Sequence, residues 1–231
     1  MKYAHIPANI SKIKAEVREI LEQKGRAPHS CKLVVVTKTR SMDEIKAVAD
    51  SGHFLLGENR IQELSEKMEA FRDYPDLRWH MIGHLQSNKY KYIAGKAELI
   101  HSVDSLRLLN FLDSYCKKTG HVQDILLEFN VSGEESKYGF NTSDLRELEG
   151  LIPSKTCLRV KGLMTMAPYT ADYNKIVRVF RTLADISRSL EKLAFHGFNC
   201  QLSMGMSNDY RIAVEEGATI IRVGSKIFEN N

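Results

Sequence analysis

Leu33-Val34-Val35-Val36-Thr37-Lys38 is the stretch whose reading decides the fold. Three consecutive β-branched valines after a leucine are too uniformly apolar for a strand with one wet face. Strands of this kind belong to parallel sheets covered on both sides. The run ends on a lysine. Apolar surroundings favour an amine's neutral form and expose it as a nucleophile, so Lys38 is a candidate reactive group. Taken alone, the segment favours a plainer reading, a lysine that closes the strand and extends its ammonium into water. The rest of the chain reverses that preference.

Upstream, Ile6, Ile10, Ile13, Val17, Ile20 and Leu21 recur at helical spacing and predict an amphipathic N-terminal helix. Downstream, strand-like runs appear near 33–36, 54–56, 78–82, 99–103, 124–131, 158–164, 201–204 and 219–223. Segments with helical periodicity lie between them, among them Met42–Ala49, Ile61–Phe71, Leu106–Cys116, Leu145–Leu151 and Tyr173–Leu193. Strands alternating with helices mean βαβ units, and eight such runs in 231 residues predict an α/β chain closed into a (β/α)8 barrel. The rival, an open doubly wound sheet, commonly binds its ligand through a glycine-rich turn after the first strand, and no G-x-G-x-x-G follows it here.

Nothing marks an internal boundary, so residues 1–231 are expected to form a single domain. The net charge of +4 is mildly basic, but lysine and arginine are dispersed among acids rather than gathered in the stripe that nucleic acids require. Lys89, Lys91 and Lys96, interleaved with Tyr90 and Tyr92, read as a solvated helix face. No leader-like apolar segment and no membrane-length run appears, and the four cysteines are scattered, which fits a cytoplasmic protein with reduced thiols. His80 and His84 are four apart, but Trp79 to Gly83 reads as a strand entering a turn, so no metal site is expected there.

Barrel active sites lie at the C-terminal ends of the strands. Here those ends carry Thr37-Lys38, Gly57-Glu58-Asn59, Gly83-His84-Leu85-Gln86, Asn130, Met164-Thr165-Met166, Met204-Gly205-Met206-Ser207 and Arg222-Val223-Gly224-Ser225. The loops after strands 7 and 8 often hold phosphate in this fold. Ser207 after Gly205, and Gly224-Ser225, supply the amides and hydroxyls for it, although either serine alone would be an ordinary helix cap. Arg222 interrupts an apolar strand and shares a face with Gly224; it either faces a ligand from the interior or points outward to a helix carboxylate. A nucleophilic lysine, a phosphate cup and an arginine between them describe a site for pyridoxal 5′-phosphate, with the aldehyde on Lys38 and the pyridine nitrogen against Arg222. An arginine there keeps the nitrogen unprotonated and weakens the ring as an electron sink.

Several longer motifs support this reading: Val36-Thr37-Lys38-Thr39, Gly57-Glu58-Asn59, Trp79 to Lys89, Glu135-Ser136-Lys137-Tyr138-Gly139, Gly162 to Met166, Leu202 to Ser207 and Arg222 to Ser225. In this order they make a chain that resembles the pyridoxal phosphate homeostasis protein family, single-domain relatives of the alanine racemase N-terminal barrel. The resemblance implies the fold-type III class of cofactor-binding barrel, with Lys38 as the covalent attachment point. It implies that Ser207, Gly224 and Ser225 hold the phosphate, that Arg222 faces the pyridine nitrogen and that Asn59 lies near the cofactor. Met166 stands where the racemases stack a histidine on the ring. The tail Phe228-Glu229-Asn230-Asn231 departs from the glycine usual after that phenylalanine.

Lys137 is a second candidate contact for phosphate or an incoming vitamer, as is Lys89; the plainer reading of each is a solvated lysine. The family's role is control of B6 vitamers, with an effect on amino-acid and keto-acid balance, and not a robust turnover reaction. The implied protein is a monomeric carrier, not an enzyme, whose partners are pyridoxal 5′-phosphate, related vitamers and apo enzymes that need the cofactor. The alternative is an amino-acid racemase of the same barrel type. It is disfavoured because the resembled racemases take a second base from a neighbouring subunit, in a dimer built with a C-terminal β-domain that this chain lacks. A metal-dependent barrel hydrolase would need carboxylate and histidine ligands that the strand ends lack.

Overall fold

In the computed structural model, which describes residues 3–134, 138–191 and 199–230, eight parallel strands close on themselves in chain order. They are β1 (Lys32–Val36), β2 (Leu55–Glu58), β3 (Arg78–Met81), β4 (Leu99–Val103), β5 (Gln123–Glu128), β6 (Leu158–Met164), β7 (Gln201–Ser203) and β8 (Ile220–Val223). The helices are α1 (His5–Gln23), α2 (Met42–Asp50), α3 (Ile61–Ala70), α4 (Leu106–Thr119), α5 (Leu145–Leu151), α6 (Tyr173–Glu191), α7 (Tyr210–Glu215) and α8 (Ser225–Phe228).

The valine run behaves as its composition dictates. Leu33 and Val35 point outward into the layer shared with the helices, while Val34 packs inside with Leu99, Leu126, Met164 and Ile220. Alternation along a strand gives β8 the same division: Ile221 and Val223 face the helices and Ile220 faces in, so Arg222 and Gly224 follow it to the interior. The register sets Val34 opposite Arg222.

Helix α1 lies outside the seam where β8 meets β1, against α2, α7 and α8. Its buried stripe is the predicted one: Ile6, Ile10, Ile13, Val17, Ile20 and Leu21. Polar bonds tie it down. Arg26, just past its end, donates to the carbonyls of Val214 and Ala218, both at 2.8 Å. Asn9 Nδ2 donates to the carbonyls of Ile227 and Glu229, both at 3.1 Å, and so clamps α8.

The expected bounds need one correction, at the end of β5. Between β3 and β4 the chain forms a short 3-10 helix, Ser87–Tyr92, and Lys91, Tyr92 and Lys96 are exposed, as a solvated helix face requires. Tyr90 is fully buried there and its hydroxyl donates to Gln123 Oε1 at 3.2 Å, so the segment turns inward around that ring. Strand β5 stops at Glu128; the Phe129 amide still donates to the Met164 carbonyl of β6 at 2.9 Å, and Phe129 forms an isolated bridge with Phe140. Helix α6 is described to Glu191; its expected end at Leu193 lies outside the described residues. The four cysteines are unpaired, and no helix among the described residues is long and apolar enough to cross a membrane.

The Asn9 clamp holds the helix that follows the predicted phosphate cup. Asn9→Ala is expected to cost about 1–2 kcal/mol in urea unfolding and to speed hydrogen exchange of the α8 amides. Unchanged exchange would show that apolar contacts alone hold α8.

Candidate functional site

A cavity of about 900 Å³ opens at the C-terminal ends of the strands. Lys38, Asn59, Met166, Ser207, Arg222, Gly224 and Ser225 all line it, although they come from five different strand ends. Lys89 is not among its lining residues, and Lys137 lies outside the described residues.

Lys38 is exposed at the tip of a turn whose two flanking peptides are fixed from below. Lys67, buried on α3, donates to the Thr37 carbonyl at 2.8 Å and to Glu58 Oε1 at 2.6 Å. The Thr37 hydroxyl donates to the same Glu58 oxygen. On the other side of Lys38, the Thr39 amide donates to Glu63 Oε2 at 3.3 Å. Burial pushes the Glu58 carboxyl up, and the bonds from Lys67 and Thr37 pull it back towards the carboxylate. Thr39 itself has φ 62°, a left-handed conformation that a β-branched residue adopts only when its surroundings impose it. The lysine's backbone is thus held while its side chain is left free. Lys67 is a functional residue that sequence reasoning missed, since it reads there as one more helix-surface lysine.

Gly83 brings the loops after β2 and β3 into contact. A Cβ at that position would lie 2.2 Å from the Asn59 carbonyl oxygen, so only glycine allows the approach that sets Asn59 in the cavity wall.

The cup after β7 and β8 is built from loop amides and hydroxyls. Gly224 and Ser225 are the cap and first residue of α8, although α7 and α8 are too short to add a useful dipole. Asp209 Oδ1 accepts the Met206 amide at 2.6 Å and shapes the turn around Ser207. The Gly224 amide reaches Ser207 Oγ only at 3.4 Å, a weak bond that leaves both groups available to an anion.

Arg222 takes the interior reading. It is 4% exposed and donates to Ser203 Oγ and to the Thr165 carbonyl at 3.1 Å. Burial pulls its guanidinium down to about 10, still far enough above neutrality to stay charged. Glu128 shares the cavity wall. Burial, reinforced by Asp104 and opposed by Arg222, pushes its carboxyl up to about 7. His84 also lines the cavity and pairs through Nδ1 with Asp104 Oδ2 at 2.9 Å, while Tyr138 stacks on its ring with centroids 4.0 Å apart. Glu128 and His84 therefore share the cavity with Lys38. Glu128 had a signal: like Arg222 it is a charge ending an apolar run, Ile125-Leu126-Leu127. Extending that run to residue 131 hid it.

The pattern of the alanine racemase N-terminal domain matches residues 8–230. The pyridoxal phosphate homeostasis protein of Aquifex aeolicus is 38% identical over 219 residues, covering 95% of each chain. The chain belongs to the pyridoxal phosphate homeostasis protein family. Among solved structures, a protein from Bifidobacterium adolescentis described as unknown superposes with a TM-score of 0.91 at 33% identity, covering 97% of this chain and 94% of that one. PipY of Synechococcus elongatus, solved with PLP bound, gives a TM-score of 0.81 at 32% identity over 92% of this chain and all of that one. The residues present in this cavity fit such a cofactor. An exposed amine suits its aldehyde, the Ser207, Gly224 and Ser225 donors suit its phosphate, and a buried charged donor, Arg222, is available for its ring nitrogen.

Glu128 gives the ligand-free protein a pH dependence with a definite sign. Its folded value, about 7, exceeds the ordinary 4.5, so its contribution favours folding at low pH and is lost as pH rises between those values. The full effect is on the order of 3 kcal/mol. Glu128→Gln should flatten the stability profile between pH 5 and 8 in urea titrations. A profile that keeps its slope in the variant would place the ionisation elsewhere.

Proposed function

We propose that this protein holds pyridoxal 5′-phosphate covalently on Lys38 and serves vitamin B6 homeostasis as a carrier and buffer. The observation that carries this reading is the convergence of an exposed amine, a buried guanidinium and an amide–hydroxyl cup in one cavity, in a family with a relative solved with PLP bound. When bound, the cofactor supplies an electrophilic aldehyde carbon and an electron-withdrawing ring. The protein's residues do the rest. Lys38 supplies the amine from a turn braced by Lys67 and Glu63. Ser207, Gly224 and Ser225 bind the phosphate, Arg222 donates to the ring nitrogen, and Asn59 and Met166 bound the ring. A charged donor at that nitrogen leaves it unprotonated, which suits retention better than carbanion chemistry.

On this reading the recipients are apo enzymes that use the cofactor, and the protein works as a monomer in the cytoplasm. A closed barrel offers no sheet edge for pairing, and four unpaired cysteines suit a reducing compartment. A racemase is the second reading, and the presence of His84 and Glu128 in the cavity is what favours it.

Borohydride reduction of the PLP-loaded protein should fix a pyridoxyl group on Lys38, as read by peptide mapping. A label on another lysine overturns the assignment. Incubation with L-amino acids in deuterated water should give negligible D-isomer; α-deuteration with inversion would establish the racemase.

A further inference from the structure

Behind Arg222 the barrel interior carries a line of polar groups from four strands. Ser203 Oγ on β7 accepts from Arg222 on β8, and it also lies 2.8 Å from His101 Nδ1 on β4. His101 Nε2 in turn lies 2.8 Å from His80 Nδ1 on β3. All four residues are buried. His80 Nε2, at the far end, has no hydrogen-bond partner; the Glu98 carboxylate is 4.0 Å away, too far for a direct bond. Glu98 lines a second cavity, of about 860 Å³, formed by strand starts at the opposite end of the barrel with Lys32, Arg78 and Asp76.

The line has a polarity that can be worked out. Burial holds both imidazoles below their usual range, so each is neutral, with one donor and one acceptor nitrogen. A guanidinium only donates, so the Ser203 oxygen receives from Arg222 and its own hydrogen goes to His101 Nδ1. That places the His101 proton on Nε2, where it is donated to His80 Nδ1. His80 then carries its proton on Nε2, aimed towards Glu98. Reversing the line would leave the serine hydrogen without an acceptor in a dry interior and set a bare imidazole lone pair against a carboxylate. Both penalties select the same direction.

We propose that Ser203, His101 and His80 form a one-directional hydrogen-bond chain through the barrel. The chain positions the Arg222 guanidinium in the cofactor cavity and is biased at its far end by the charge on Glu98. These three are positioning residues, and their effect on the cofactor rests on the reading that the upper cavity holds pyridoxal 5′-phosphate. The groups facing His80 besides His101 are Glu98, Lys32 and Arg78, and those facing His101 besides Ser203 are His80 and Arg222. Of these, Glu98 alone is negative.

The first test needs no cofactor. Nitrogen-15 NMR of the ligand-free protein should show His80 and His101 protonated at Nε2 with hydrogen-bonded Nδ1. A proton on His101 Nδ1 overturns the chain. Glu98→Lys, a change on the surface, should shift His80 towards a mixture of tautomers; an unmoved signal overturns the coupling to the lower mouth. With folding verified by circular dichroism, His80→Leu and Ser203→Ala should each weaken PLP binding by roughly tenfold, the loss expected when one bond to a charged group is compromised. His80→Asn, whose Oδ1 can accept where Nδ1 did, should recover most of the affinity. His80→Leu with unchanged affinity and absorbance overturns the positioning role. If the unaltered protein does not take up PLP, the cofactor reading fails while the tautomer measurement still decides the chain.

Discussion

Arg222 carries a charge it cannot shed near neutral pH into the interior of a closed barrel, and the polar part of that interior is organised by the need to satisfy it. Little of a guanidinium that is 4% exposed meets the cavity, so its acceptors come from the protein: the Ser203 hydroxyl on β7 and the Thr165 carbonyl just past β6. Glu128 and Asp209 act on it through charge rather than through a direct bond. Elsewhere the same inward-facing positions are filled by Val34, Leu99, Leu126, Met164 and Ile220. Such an arrangement contributes little net stability, since a well-packed apolar core would serve as well. Its value lies in presenting a fixed donor to the cavity.

The two ends of the proposed cofactor site are held in different ways. At Lys38 the protein fixes the backbone through the buried Lys67–Glu58 pair and leaves the amine exposed. At the cup it does the reverse, with loops whose donors are only weakly engaged with one another. A covalent anchor that is positioned and an anion site that is open suit a protein that must both retain a ligand and release it.

The fold was legible because both periodicities were clean. The valine run, the alternation of strands and helices and the α1 stripe each have a local cause that survives folding. That the seven candidate residues line one cavity was legible for a related reason: strand ends in a barrel converge, so position along the chain predicts position in space. What the sequence hid was pairing. Lys67 braces the lysine turn through a carbonyl thirty residues away, and nothing local marks it. Glu128 was absorbed into a strand read three residues too long. The pairing of β3 with β4 sets His80 and His101 2.8 Å apart, and closure of the barrel brings Ser203 of β7 to the other side of His101. Around Tyr90 the lysines show the solvated side of the segment, and nothing local marks the tyrosine that turns inward.

Gly83 has a consequence for how this cavity can change over evolutionary time. Because the loops after β2 and β3 touch where any side chain would collide with the Asn59 backbone, they form a single wall that moves as one piece or not at all. Substitutions that enlarge or reshape the cavity must accumulate on the opposite rim, where Tyr169 is 96% exposed and Thr170 and Ala171 follow it along the lining. Variation in ligand preference among descendants of this chain should therefore be lopsided, recorded in the segment after β6 and nearly silent around Gly83.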